Sequence, residues 1–97
     1  MNLDQGTVEQ IVGILKQNQK VNEVILFGSR AKGTGKDGSD IDIALVGENI
    51  GFRDLCQLGV KLEDLDLPYK IDLVAYDSHT SPELKSHIDR VGVSIHR

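Results

Sequence analysis

Tryptophan is absent from this chain of 97 residues, and cysteine occurs once, at Cys56. A lone cysteine excludes a framework of internal disulfides. No apolar stretch approaches the roughly 20 residues of a membrane-spanning helix. The opening MNLDQGTVEQ lacks the basic-then-apolar order of a secretion signal. These absences lead to the expectation of a soluble, cytoplasmic protein without a membrane partner. Positive charge is also in deficit, with 11 basic against 15 acidic residues and a net charge of −4. That is the wrong sign for a chain that grips nucleic acid through a basic stripe, and nothing in the sequence points directly to nucleic acid. It leaves room for a nucleotide held through metal ions. The aromatic residues are Phe27, Phe52, Tyr69 and Tyr76, few platforms on which a base could stack. His79, His87 and His96 are too scattered to form a zinc site and read as surface residues. Repeats, linkers and low-complexity tracts are missing. At this length a fold buries somewhat over ~60% of its unfolded surface, enough for one modest core. Residues 1–97 are therefore expected to form a single domain.

What is present is an alternation of helical and strand patterns. Val8, Ile11, Val12 and Leu15 follow the i, i+3, i+4, i+7 rule and predict a helix from about Asp4 to Asn18. Thr7 with Gln10 forms one potential capping box, and Asp4 is an alternative start. Val24–Phe27 is an apolar run of strand length, and Ile41–Val46 is a second strand. Leu55, Leu58, Leu62 and Leu65 predict a helix over about Gly51–Asp66, with Pro68 ending that region. Glu63, Asp64 and Asp66 read as its solvated face. Tyr69–Ala75 is a third strand. Ser81-Pro82-Glu83 combines a capping residue, proline at the first position and an early acid, a strong helix start. Leu84, Ile88 and Val91 give that helix its stripe, Gly92 stops it, and Val93-Ser94-Ile95 suggests a short edge strand. The mixture of helices and strands makes the chain α+β (α/β-like).

The stretch from Val24 to Leu45, VILFGSRAKGTGKDGSDIDIAL, carries the chemistry. Gly28-Ser29 breaks the first strand. Ser29 to about Lys32 has the composition of a short helical turn, whose free N–H groups suit a phosphate. Gly33 to Ser39 reads as a mobile loop. In Ser39-Asp40-Ile41-Asp42-Ile43, aspartate alternates with isoleucine. On a strand, residues i and i+2 share a face, so Asp40 and Asp42 point one way and Ile41 and Ile43 the other. Two carboxylates roughly 7 Å apart on one strand face repel each other unless a cation sits between them. Asp72 interrupts the apolar third strand and raises the same question, because an unpaired buried charge is costly. Lys70 lies on the same face and offers a purely structural answer. Competing motifs fail on spacing. A P-loop would need lysine where Thr34 stands, and an EF-hand would need an oxygen ligand at Ala44 and glycine at Leu45.

The order of strand, Gly28-Ser29, spacer and Ser39-Asp40-Ile41-Asp42 resembles the nucleotidyltransferase superfamily related to DNA polymerase beta. Gly28-Ser29-Arg30-Ala31-Lys32-Gly33 is most similar to its smallest branch, the minimal nucleotidyltransferases. Lys32 departs from that branch, which usually has arginine there; the charge is kept but not the fork geometry. The resemblance implies a small mixed β-sheet with helices on one face. It also implies a third carboxylate on a later strand, for which Asp72 is the natural candidate. Asp40, Asp42 and Asp72 would then hold two Mg²⁺ ions, with Asp72 helping to remove the proton from an attacking hydroxyl. Gly28 would let backbone approach the triphosphate, and Ser29 would donate to a β- or γ-phosphate. Arg30 and Lys32 would neutralise leaving pyrophosphate, with plain surface solvation as the competing reading.

The implied reaction moves a nucleoside monophosphate, AMP if the substrate is ATP, to an acceptor hydroxyl. A chain this short has no room for the extra domain that larger relatives use to grip base and acceptor. Members of the minimal branch commonly work with a helical HEPN-type protein as a toxin–antitoxin pair, so such a partner is expected, and a homo-oligomer is open. The alternative is a non-catalytic module that neutralises a helical partner by occlusion.

Overall fold

The computed structural model describes residues 5–27, 41–67 and 70–96. Among the described residues there are three helices and four strands, in the order α1 (Gln5–Leu15), β1 (Glu23–Phe27), β2 (Ile41–Val46), α2 (Phe52–Glu63), β3 (Ile71–Tyr76), α3 (Pro82–Val91) and β4 (Val93–His96). The strands form one sheet in the order β3-β2-β1-β4. β1 runs antiparallel to both its neighbours, while β2 and β3 are parallel, joined across α2. The sheet is thus mixed and the fold α+β, as expected. Among the described residues no helix is long and apolar enough to cross a membrane.

Period-two alternation divides the sheet into two faces. Val24 and Leu26 of β1 lie beside Leu45 and Ile43 of β2, and all four, with Ile41, are fully buried. Val8, Ile11 and Leu15 of α1 and Leu58 and Leu62 of α2 pack on this face. Each such buried aliphatic side chain contributes about 1.5–3 kcal/mol by leaving water, so most of the core's stabilisation lies here. The opposite face carries Ile25, Phe27, Ala44, Val74 and Tyr76, and α3 covers it with Leu84, Ile88 and Val91. The expectation of helices on one face is therefore corrected: α1 and α2 share one face and α3 takes the other. The stripe of α3 required a cover, and β4, which follows at once, pairs with β1 and holds the helix across it.

The helix ends differ from the sequence expectation for identifiable reasons. α1 begins at Gln5, so Thr7 lies inside it and is not its cap; Asp4 lies outside the described residues. Its end comes at Leu15 because Asn18 turns the chain instead, its side chain accepting from the Lys20 N–H at 2.9 Å and its carbonyl from the Val21 N–H at 3.1 Å. α2 stops at Glu63, three residues short of Asp66, which adopts a left-handed conformation with φ 53°. β3 starts at Ile71 and continues through Tyr76; Pro68 and Tyr69 lie outside the described residues.

α3 starts as expected, with the Ser81 hydroxyl accepting from the Leu84 N–H at 3.2 Å and Pro82 in the first turn. It ends at Gly92, but with φ −74°, not in a left-handed cap. Glycine is needed there for room: a Cβ would run into the Ile88 carbonyl and the Ile25 side chain.

At the other end of α2, Asp54 ties two elements together. Its carboxylate accepts from the Gly51 N–H at 2.9 Å, from Lys20 Nζ at 2.9 Å and from the Asn18 amide at 3.1 Å. The Gly51 amide first, then Lys20 and Asn18, hold its carboxyl at about 2, below the ordinary 3.8.

Candidate active site

Pairing of β2 with β3 sets Asp42 opposite Asp72, although the two are thirty residues apart in sequence. On its other side Asp42 is opposite Phe27 of β1. One row therefore crosses three strands as Asp72, Asp42, Phe27. Neighbouring strands lie about 4.8 Å apart, so two half-buried carboxylates stand side by side on the face that carries α3. Like charges directly opposite on a sheet destabilise it. Lys70 does not resolve the conflict, for among the described residues it makes no ion pair with Asp72. It lines a hollow of about 260 Å³ under the end of α2, with Leu62, Leu67 and Ile71.

Two adjacent carboxylates supply hard oxygen donors, the kind Mg²⁺ takes while keeping waters and substrate phosphates in its remaining positions. The pair Asp42 and Asp72 fits such an ion. Among the described residues no group of three or more metal-binding side chains occurs. Asp40, Gly28, Ser29, Arg30 and Lys32 lie outside the described residues, as do the expected helical turn and loop over 29–39. Of the residues singled out in the sequence, the structure thus brings together Asp42 and Asp72. It also places Phe27, to which Gly28 is bonded, at the end of their row.

Helix α3 divides the face on which this row lies. Residues two apart on a helix point about 200° away from each other. His87 meets Phe27 edge to face, with centroids 5.9 Å apart and planes at 82°. Asp89, on the other flank of α3, accepts from the Tyr76 hydroxyl at 2.8 Å. That hydrogen bond is the main reason the Tyr76 hydroxyl titrates above its usual range; desolvation and the charges of Asp89 and Glu23 add to it. Tyr76 pairs with Val46 at the end of the sheet remote from Asp42. A second hollow of about 330 Å³ lies there, lined by Glu23, Ile25, Tyr76, Asp89 and Ser94.

The sequence reads all three histidines as surface residues. That holds for exposed His79, but His96 is half-buried at the end of β4 and His87 is half-buried against Phe27. The spacing of Leu84, His87, Ile88 and Val91 is i, i+3, i+4, i+7, so the periodicity that defines the stripe of α3 already takes in His87. Which flank of the helix faces the carboxylates follows only from the tertiary arrangement.

The sequence and the fold are similar to those of known proteins. The family model described as Polymerase beta, Nucleotidyltransferase matches residues 9–97. A protein of Methanocaldococcus jannaschii named as protein adenylyltransferase MJ1217 is 39% identical over 77 residues, covering 78% of this chain and 78% of its own. A chain from a crystal structure of a toxin–antitoxin with AMP-PNP superimposes with a TM-score of 0.78 at 31% identity, covering 91% of this chain and 71% of that one. A complex of tri-AMPylated Shewanella oneidensis HEPN toxin with its MNT antitoxin gives a TM-score of 0.74 at 26% identity, over 96% and 71% of the two chains. By sequence, strand register and these likenesses, the chain belongs to the polymerase beta family of nucleotidyltransferases, in its minimal branch.

Proposed function

We propose that this nucleotidyltransferase is a protein adenylyltransferase that moves AMP from ATP to a hydroxyl of a helical HEPN-type partner, as the antitoxin of a toxin–antitoxin pair. The observation that carries the reading is the register of Asp42 with Asp72, joined to the Gly28-Ser29 and Ser39-Asp40-Ile41-Asp42 pattern of the sequence. The names of its relatives support the adenylyl group and the class of partner.

In the reaction, the acceptor oxygen bonds to the α-phosphorus of ATP. The bond from that phosphorus to the oxygen bridging to the β-phosphate breaks, and pyrophosphate leaves. Phosphoryl chemistry of this kind asks a protein chiefly for positioning and charge neutralisation. Two Mg²⁺ ions, when bound, supply the charge that draws the attacking and leaving oxygens into line. Asp40 and Asp42 are assigned to hold both and Asp72 to complete the set. Asp72 takes the proton from the acceptor hydroxyl, for which its place beside Asp42 suits it. Gly28 and Ser29 are assigned to the triphosphate, and Arg30 and Lys32 to the departing pyrophosphate. Residues 1–97 act as a single domain in the cytoplasm, with the acceptor brought by the partner.

The test is transfer of labelled AMP from ATP, with Mg²⁺, to a HEPN-type protein mixed with the chain. Label on the partner with the parent chain, and none with Asp42→Asn at an unchanged melting temperature, is the expected result. Equal labelling by Asp42→Asn sinks the assignment. Tight partner binding without any label from the parent chain would mean that occlusion is the function.

A further inference from the structure

We infer that His87 is a positioning residue for the nucleotide site, acting through Phe27. The inference rests on the nucleotidyltransferase reading and concerns how the triphosphate-binding end of β1 is kept in place. Phe27 is the last residue of β1, register partner of Asp42 and the residue to which Gly28-Ser29 is bonded. Its ring is 7% exposed and rests on Ala44 and Ile88. Those contacts hold the ring from beneath. The edge contact at 5.9 Å and 82° comes from His87 on the flank of α3 that faces the carboxylate row.

Phe27 is the register partner of Asp42, so its side-chain packing bears on how firmly β1 is held beside that carboxylate. An imidazole meeting a benzene ring edge to face has a preferred geometry that an aliphatic contact lacks. Displacing Phe27 moves β1 relative to Asp42, the carboxylate assigned to the metal ions that the triphosphate shares. The helix that carries His87 is anchored by an independent contact on its far flank, between Asp89 and Tyr76. The two flanks can therefore be tested separately.

The experiment measures KM for ATP and kcat with Mg²⁺ and the partner protein, beside the melting temperature. His87→Ala should raise KM by roughly three- to ten-fold, the range an aromatic edge contact supports, with kcat changed less than about two-fold. His87→Phe, which keeps a ring there, should restore KM. His87→Leu fills the space without a ring and folds even if the alanine variant does not; it should leave KM raised. Asp89→Asn is the control on the opposite flank, expected to lower the melting temperature slightly with KM unchanged. A wild-type KM in the leucine variant, failure of phenylalanine to restore KM, or an equal rise in Asp89→Asn would each overturn the inference. Absence of transfer by the wild-type chain would instead fail the proposed function itself.

Discussion

On the face that α1 and α2 cover, Val24, Leu26, Ile41, Ile43 and Leu45 are all fully buried. On the face that α3 covers, β1, β2 and β3 present Phe27, Asp42, Ala44, Asp72, Val74 and Tyr76, and Asp42 is half-buried in a strand whose Ile41 and Ile43 are fully buried. Both faces are built by the same three strands, one residue out of phase. The first is uniformly aliphatic and holds the fold together. The second sets two carboxylates side by side, the arrangement on which the proposed metal site rests. Period-two alternation lets one strand serve both ends, because a substitution at an odd or even position of β2 reaches one face and spares the other.

That division can be broken by substitution. Asp72→Asn should reduce AMP transfer by roughly a thousand-fold, since charge stabilisation at such a centre is worth several kcal/mol. Its unfolding midpoint should hold steady or rise, because a like-charge pair is relieved. A midpoint falling as far as that of a core variant would show that the two faces are not separate. Leu26→Ala is that core variant, expected to cost about 2–5 kcal/mol in denaturant unfolding. Its nucleotide affinity should stay near that of the parent wherever it remains folded. Gly92→Ala tests the attachment of α3, since the new methyl must displace the Ile88 carbonyl or Ile25. Overpacking of this kind costs about 1–3 kcal/mol, measurable by thermal melting, and should raise KM for ATP as well if the helix shifts over Phe27.

The smallest effect belongs to Asp54, far from the site. The fold lowers its carboxyl to about 2 from 3.8. A lowered value means a stabilising contribution present above pH 4 and lost as the pH falls toward 2. Asp54→Asn should therefore lower the melting temperature modestly at pH 7 and flatten its decline between pH 4 and pH 2. Transfer activity at pH 7 should be unaffected.

Much of this architecture is legible in the residues themselves. Ile41–Val46 coincides with β2, because alternating aspartate and isoleucine admits one register only. Ser81 and Gly92 bracket α3 as expected, since capping chemistry is local. The pairing of Asp42 with Asp72 is less accessible. Each aspartate stands out as a charge in an apolar run, but sequence order does not say that β2 and β3 lie parallel, and only that direction sets the two in register. The early end of α2 is hidden because its leucine spacing continues through Leu65, which packs against the core from outside the helix. The position of α3 escapes for a similar reason. An apolar stripe says that a helix needs a cover, not which face of a sheet provides it.

The strand order has a consequence for how the protein comes into being. β1 lies between β2, which follows it in the chain by 14 residues, and β4, which begins only at Val93. During synthesis the strands that carry Phe27, Asp42 and Asp72 can all be made while the other edge of β1 still has no neighbour. An unpaired edge of apolar residues is a template for pairing with another chain. Val93–His96 therefore does more than complete the sheet. For the nascent protein it covers the apolar edge of β1, and α3 delivers it there.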